Sequence, residues 1–422
     1  MLTAVAAAVA VLLLWPEHPR QAETAPAPPT PVIAAPAPNP TPLDSARFAS
    51  VLADLRAEAL AAGILPATVD TAFAGLVPDG EVLELANAQP EYVKTAGEYL
   101  SLLVSEARIE NGRLKLREHE AVLAAVETTY GVSRHIVLAI WGVESNYGGG
   151  MGNRRIMRSL ATLATYDTRR PQFWRGELLA ALRILQSGDT TSNNMAGSWA
   201  GAMGHTQFMP TTYAVHAVDF DKDGRRDIWN SIPDALASTA NYLRASGWTA
   251  ANPWGFEVKV PDGFEYALSA PGITKSWPEW QKLGLTRFDT RTLSATIGPL
   301  QLLLPAGARG PAFLVGANFK AILRYNNAVS YALAVGHLAD RLAGLPPLAK
   351  AWPADDRALG KGEREDMQRR LTALGFDAGT VDGVIGTGTR AAVRAFQKSR
   401  SLPEDGHPDL ALLDRLRQEG KP

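Results

Sequence analysis

Along most of the chain, apolar residues return every three or four positions, the period of an amphipathic helix. The pattern predicts helices over residues 44–62, 66–73, 91–103, 120–130, 173–185, 232–245 and 319–345, with a shorter helical patch at 160–163. The most pronounced stretch is VSRHIVLAIWGVESNYG, residues 132–148. Val137, Ile140, Trp141 and Glu144 fall at i, i+3, i+4 and i+7, and Ser133 stands where an N-cap belongs. A carboxylate therefore lies on an apolar stripe. Such a group costs free energy unless it is paired or keeps its proton through a raised pKa, which is what a general acid requires. Spacing leaves the alternative open of a rim glutamate reaching water, or one neutralised by an arginine. The Gly- and Asn-rich run that follows, SNYGGGMGNRR, predicts a tight loop at the mouth of a cleft.

The period changes in the middle of the chain. Phe256, Val258 and Val260 alternate before a Pro261-Asp262-Gly263 turn, and 293–304 and 311–315 also read as extended. A small β element inserted in a helical domain is expected. After a short linker, LPPLAKAWP, three short helices follow within residues 359–417. Met367, Leu371 and Leu374 share one helix face, Val393 and Phe396 another, and 410–416 forms the third. Sixty residues of this kind make an accessory module rather than an enzyme core.

The start of the chain differs from the rest. Residues 2–15 are uncharged and apolar, too short to span a bilayer and suited to a signal-peptide core or an anchor. Residues 16–43 are dominated by Pro and Ala, an extended spacer that cannot bury a core. The leader and spacer together predict export, with the folded part held away from the membrane. With 422 residues and a formal net charge of -1, the chain has room for two or three domains and no general attraction to nucleic acid. The absence of cysteine excludes disulfides, thiolate metal sites and cysteine nucleophiles.

Four further groups carry candidate chemistry. MAGSWAGAMGHTQFMP combines close-approach glycines with Ser198 and Gln207, which can read hydroxyls and amides, and with Trp199 and Phe208, which can face sugars; close packing through small residues explains the same pattern. Arg169 and Arg170 suit an anionic ligand or one buried carboxylate. Tyr325, Asn326 and Tyr331 offer hydrogen bonds to a carboxyl oxygen or an N-acetyl group. In DFDKDGRRDIW, Asp219, Asp221 and Asp223 occupy positions 1, 3 and 5 of an EF-hand-like loop, Gly224 position 6 and the Arg225 carbonyl position 7. Asn230 stands at position 12 in place of the bidentate Glu, and Asp227 and Asp234 are the candidates to substitute for it. The alternative is a carboxylate-rich turn without a cation.

AIWGVESNYG, TRRPQFW, GSWAGAMGHTQFMP, VDFDKDGRRDIW, ASTANYL and RYNNAVSYA, in that order, resemble the lytic murein transglycosylase B family. The tail, MQRRLTALGF with DGVIGTGTRAAVRAFQ, resembles the peptidoglycan-binding module of bacterial wall enzymes. The resemblance implies a mainly α protein: a lysozyme-like helical catalytic domain over 44–345 with a small β-containing insertion, a linker over 346–358 and a small three-helix peptidoglycan-binding domain over 359–417. It implies Glu144 as the single catalytic residue and Arg169, Arg170, Phe173, Ser198, Gln207, Phe208, Tyr242, Tyr325, Asn326 and Tyr331 as substrate-binding residues. Phe173 stands where the family can carry Tyr. Asp219, Asp221, Asp223, Arg225 and Asp234 match the family's cation loop, a candidate structural Ca²⁺ site, and no cofactor is required for the chemistry.

The implied reaction is cleavage of the β-1,4 bond between N-acetylmuramic acid and N-acetylglucosamine without water, leaving 1,6-anhydromuramyl ends, with one Glu acting as acid and then base. Peptidoglycan glycan strands are the expected partner, nucleic acid is not, and a periplasmic monomer, exported or tethered through its N-terminus, is the expected form. Two other readings stay open. A hydrolytic muramidase needs a second carboxylate to place water, and Asp167 is the nearest in sequence. A non-catalytic peptidoglycan-binding scaffold would use the tail module and a dead cleft.

Overall fold

The structure is a computed structural model that describes residues 43–87, 94–250, 252–289, 293 and 297–419. The predicted leader (1–15) and all but the last residue of the predicted spacer (16–43) lie outside the described residues. The described chain forms two compact units. One is built from 94–149 and 215–419, the other from 43–87 and 150–214.

In the first unit the helix Arg134–Ser145 is central. Glu106–Glu118, Glu120–Tyr130, Ile232–Ala245 and Val329–Leu342 all pack on it. Residues Ile136 to Gly142 are buried without a break, together with Ser145. The helix is thus apolar on nearly every side, as a core helix is, and not the one-sided amphipathic helix its spacing predicts. Ser133 occupies the N-cap position, but its side chain makes no capping bond. Glu127 of the preceding helix does that work: its carboxylate accepts from the Arg134 backbone N–H (3.3 Å) and from Arg134 Nε (2.5 Å).

The helix ends abruptly. Asn146, Tyr147 and Gly148 all have positive φ (49°, 57° and 91°), which turns the chain sharply after Glu144. Tyr147 anchors this turn. Its ring meets Trp141 edge-on at 5.7 Å, and its hydroxyl donates to the Arg108 carbonyl at 3.1 Å. A Cβ at Gly112 would sit 2.2 Å from the Tyr147 oxygen, and one at Gly142 2.6 Å from its ring, so the slot exists only because both are glycine.

The predicted β element is a four-stranded antiparallel sheet in the order Thr286–Arg287, Gly255–Lys259, Ala312–Val315, Gln301–Leu303. Its pleat separates two cores. Ala312 and Leu314 join Phe256, Val258, Leu302 and Trp280 in a core of the sheet's own, while Phe313 and Val315 face the helical core. The predicted helix over 319–345 is in fact two, Ala317–Tyr325 and Val329–Leu342, broken at Asn326 and Asn327. The module at the C-terminal end consists of Lys361–Ala373, Thr387–Ser399 and Leu410–Glu419 around Met367, Leu371, Val393, Phe396, Leu413 and Leu416. Buried Gln368 braces its Gly/Asp loop by accepting from the Asp382 and Gly383 amides and donating to Asp382 and the Val384 carbonyl.

The second unit is a group of helices led by Ser45–Ala61, Pro66–Phe73, Gly80–Asn87, Ile156–Tyr166 and Pro171–Ser187, the last two packed closely on one another. Arg154–Arg155 pairs with Ala196–Gly197. A Cβ at Gly152 would lie 2.2 Å from the Gly197 carbonyl, and one at Gly197 2.0 Å from the Ala202 carbonyl. The small-residue stretch is therefore a folded loop held by backbone bridges, not close helix packing. Glu106–Glu118, Gly80–Asn87 and Pro210–His216 have no counterpart among the predicted helices. The first is strongly polar in mean composition, which hid its periodicity.

Candidate active site

Glu144 sits in the last turn of the central helix, half-buried. Its Oε1 accepts one hydrogen bond, from the Tyr331 hydroxyl at 2.5 Å. Among the described residues no cation pairs with it. Burial raises its pKa to about 7, and the Tyr331 bond pulls the other way without offsetting that rise. No second carboxylate acts on its charge. The arginine-neutralised alternative is thereby removed, and a carboxyl that holds a proton near neutrality is what general acid catalysis needs.

Phenols surround this carboxyl. Tyr331, only 2% exposed, lies on Val329–Leu342. Tyr325 ends the preceding helix, so the break at Asn326 brings two tyrosines of adjacent helices to one carboxylate. The Glu144 charge adds to burial in raising the pKa of Tyr325 and Tyr331 well above the usual phenol value, and that of Tyr99 to about 12. All three therefore stay as neutral hydroxyls. Tyr242 is edge-on to Tyr325 (4.9 Å) and donates to the Arg324 carbonyl at 2.5 Å. Asn326 leaves its Oδ1 buried without a hydrogen-bond partner, an acceptor open to a ligand N–H or O–H. Tyr99 was not anticipated from the sequence. The readable signal was the capping box of Thr95 and Glu98, which starts its helix and fixes the Tyr99 face.

The second unit holds the other predicted residues. Asp167 closes Ile156–Tyr166, and its buried carboxylate accepts from the Arg169 amide (2.9 Å), Arg169 Nε (3.0 Å) and Trp174 Nε1 (2.9 Å). Burial would raise its pKa, but these bonds outweigh burial and hold it below the ordinary carboxylate range. Arg169 thus answers a buried carboxylate rather than standing free. Arg170 lies over the rings of Phe173 and Trp174, 5.0 Å from each, and Phe173 is 41% exposed. Ser198 accepts from the Ala202 amide through its hydroxyl (3.0 Å). Gln207, at φ 51°, donates its side-chain amide to the Met151 and Gly204 carbonyls (3.0 and 2.9 Å). Phe208 corrects the sequence reading: at 2% exposure its ring is core and offers no face to a sugar.

In the aspartate loop, Asp219, Asp221 and Asp223 bring one oxygen each within 4.8 Å of one another. Asp219 Oδ1 is buried without a hydrogen-bond partner. Three carboxylates, one of them with an orphaned oxygen, fit a divalent cation such as Ca²⁺. Asp234 is a correction. Fully buried, it accepts from the amides of Phe220 (2.7 Å), Asp221 (3.3 Å) and Asp227 (2.8 Å), so it shapes the loop from beneath rather than joining the three carboxylates. Asp227 is likewise committed to Trp229 and Asn230. Arg225 donates its amide to Asp223 (2.9 Å).

A mostly helical chain with a small sheet inserted, a lone shielded glutamate and a three-helix tail module falls in the lysozyme-like class. The chain belongs to the transglycosylase SLT domain family, which it matches over residues 47–340, and residues 361–416 match a peptidoglycan binding domain. It is 51% identical to SltB3 of Pseudomonas aeruginosa in complex with NAG-anhNAM-pentapeptide, with a TM-score of 0.84 over 88% of this chain and 99% of that one. It is 34% identical over 258 residues to membrane-bound lytic murein transglycosylase B of Escherichia coli (strain K12), a match spanning 58% of this chain and 66% of that protein's length. Escherichia coli Slt35 in complex with calcium is 28% identical, with a TM-score of 0.58 over 71% of this chain and 93% of that one. The chain is thus an enzyme of the peptidoglycan lytic transglycosylase class. Among the described residues no helix is long and apolar enough to cross a membrane.

Proposed function

We propose that this enzyme cleaves the β-1,4 bond between N-acetylmuramic acid and N-acetylglucosamine with Glu144 alone, and leaves 1,6-anhydromuramyl ends. The observation that carries this reading is the Glu144 carboxyl: shielded, held by one phenol and, among the described residues, without a paired cation or a second carboxylate acting on it. Neutral Glu144 protonates the glycosidic oxygen as the bond to muramic C1 breaks, and the departing N-acetylglucosamine keeps the electron pair. The muramic N-acetyl carbonyl oxygen covers C1 as positive charge grows there. The Glu144 carboxylate then takes the proton of the muramic C6 hydroxyl while that oxygen attacks C1, displacing the N-acetyl oxygen. Glu144 ends protonated, as it began, and no water is consumed. A water-activating mechanism needs a second carboxylate with oxygens to spare, and Asp167 has its own committed to Arg169 and Trp174. The anhydro sugar in the SltB3 complex supports the same product.

The remaining roles follow from this reading. Tyr331 positions Glu144, while Tyr99, Tyr242, Tyr325 and Asn326 border the reacting sugars. Arg169, Arg170, Phe173, Ser198 and Gln207 are further substrate-binding residues. Asp219, Asp221 and Asp223 hold a structural Ca²⁺, as the calcium complex of Slt35 suggests. The C-terminal module keeps the enzyme on the wall, and the apolar leader and spacer export or tether it in the periplasm as a monomer. Mass spectrometry of digested sacculi tests the reaction. Anhydromuramyl ends are expected, and reducing muramyl ends would overturn the proposal in favour of a hydrolase.

A further inference from the structure

The C-terminal module closes a cavity of about 670 Å³ against the Gln301–Leu303 strand and the segment after it. The module is fastened there. The Ala308 amide donates to Asp405 (2.7 Å), and Arg309 pairs with Asp355 (2.7 Å) and Asp409 (3.2 Å). The volume is that of a small-ligand site.

The cavity wall is cationic. Arg364, Arg390 and Arg394 line it, the last two one turn apart on Thr387–Ser399. None of the three forms an ion pair among the described residues. Arg364 donates to the carbonyls of Leu359 and Gly383, Arg390 to that of Gly406 and Arg394 to that of Asp405. The Nε of Arg394 is buried with no partner at all. Two carboxylates share the wall without neutralising it. Asp405 accepts from Gln397 and from the His407 and Ala308 amides, and Asp356 faces His407. Burial lowers the pKa of Arg390 and Arg394, and the Asp405 charge pulls the other way without offsetting it. A guanidinium fork is shaped for a carboxylate, and these three keep donors that no carboxylate of the described residues takes up.

We propose that this cavity is a second, non-catalytic peptidoglycan subsite that takes the free carboxylates of a stem peptide on Arg364, Arg390 and Arg394. It rests on the reading that glycan strands are the substrate. In that polymer the muramic lactyl carboxyl is consumed in the amide to the peptide, so the free carboxylates belong to the peptide and not to the sugars.

The test is calorimetric titration of the full-length Glu144→Gln protein with a free stem pentapeptide, and separately with inorganic phosphate. Saturable one-to-one peptide binding is expected, weakened by about tenfold or more in the added R390Q/R394Q background. Val384→Trp, at a 64% exposed position on the cavity wall, leaves all three arginines in place and should block binding by bulk. It decides the matter if the double glutamine variant fails to fold. Unchanged peptide affinity in the folded variants overturns the proposal, as does phosphate binding tighter than the peptide. Turnover is not read here, so failure leaves the assignment of Glu144 to be judged by its own products.

Discussion

Glu144 and Asp167 are both shielded carboxylates at the C-terminal end of a helix, where the helix dipole disfavours negative charge. They end in opposite states. Asp167 receives charged and neutral donors from Arg169 and Trp174 and stays ionised. Glu144 receives one phenol and holds its proton to about pH 7. Burial pushes the pKa of both upward, and only at Asp167 do the bonds and the Arg169 charge outweigh it. Desolvation and donors together decide whether a shielded carboxylate becomes a fastening or a chemical group.

The largest test of this contrast is Glu144→Gln. General acid–base catalysis contributes about 10²- to 10⁴-fold, and lytic activity on sacculi should fall by that order while the fold remains. Stability should move in the opposite direction. The folded pKa of Glu144 lies above its unfolded value of 4.5, so the folded state binds the extra proton between pH 4.5 and 7 and wild-type stability falls as pH rises through that window. Glutamine has no such loss. Thermal melts should show the variant gaining on wild type up to about pH 7, and melts that stay parallel across this window would contradict the raised pKa.

Tyr331→Phe comes next. It removes the one donor that favours the ionised form, so the Glu144 pKa should rise further. The descending limb of the pH–rate profile, expected near pH 7, should shift upward, with kcat reduced by roughly tenfold through lost positioning. A rate loss with an unmoved limb would mean that Tyr331 only fills space.

Asp167→Asn sharpens the comparison from the other side. It leaves the Arg169 guanidinium without its carboxylate and should cost about 1–3 kcal/mol in denaturant unfolding. The Glu144 limb should stay in place and the products should remain anhydro. A shift to reducing ends, or a moved limb, would give Asp167 a part in the chemistry.

The smallest effect concerns the aspartate loop. Millimolar Ca²⁺ should raise the melting temperature by a few degrees through binding to the folded state alone, and Asp219→Ala should abolish the increment. A wild-type protein indifferent to Ca²⁺ would reduce the loop to a carboxylate-rich turn.

Much of the site was readable in advance, because each legible part is local. Val137, Ile140, Trp141 and Glu144 share a face through helical geometry, and the β element showed in the alternation of Phe256, Val258 and Val260. The less legible parts depend on partners far away in sequence. That Phe208 is core while Phe173, in the first turn of Pro171–Ser187, is exposed cannot be told from two phenylalanines beside Gly- or Arg-rich runs. Asp234 lies four residues beyond Asn230 at position 12, and only the amides of Phe220, Asp221 and Asp227 converging on it reveal its place under the loop. Tyr99 acquires meaning only when its helix packs beside Val329–Leu342.

The sequence by itself determined the helical character of the chain, the position of an acid on an apolar stripe, the order of the motifs and the separate tail module, because periodicity and short spacings are properties of neighbouring residues. Tertiary structure alone decided the protonation states. It placed one phenol on Glu144 and several donors on Asp167, and left three arginines of the tail module facing a cavity without carboxylate partners. Desolvation and hydrogen-bond count act through space, and no local pattern encodes which distant groups will meet.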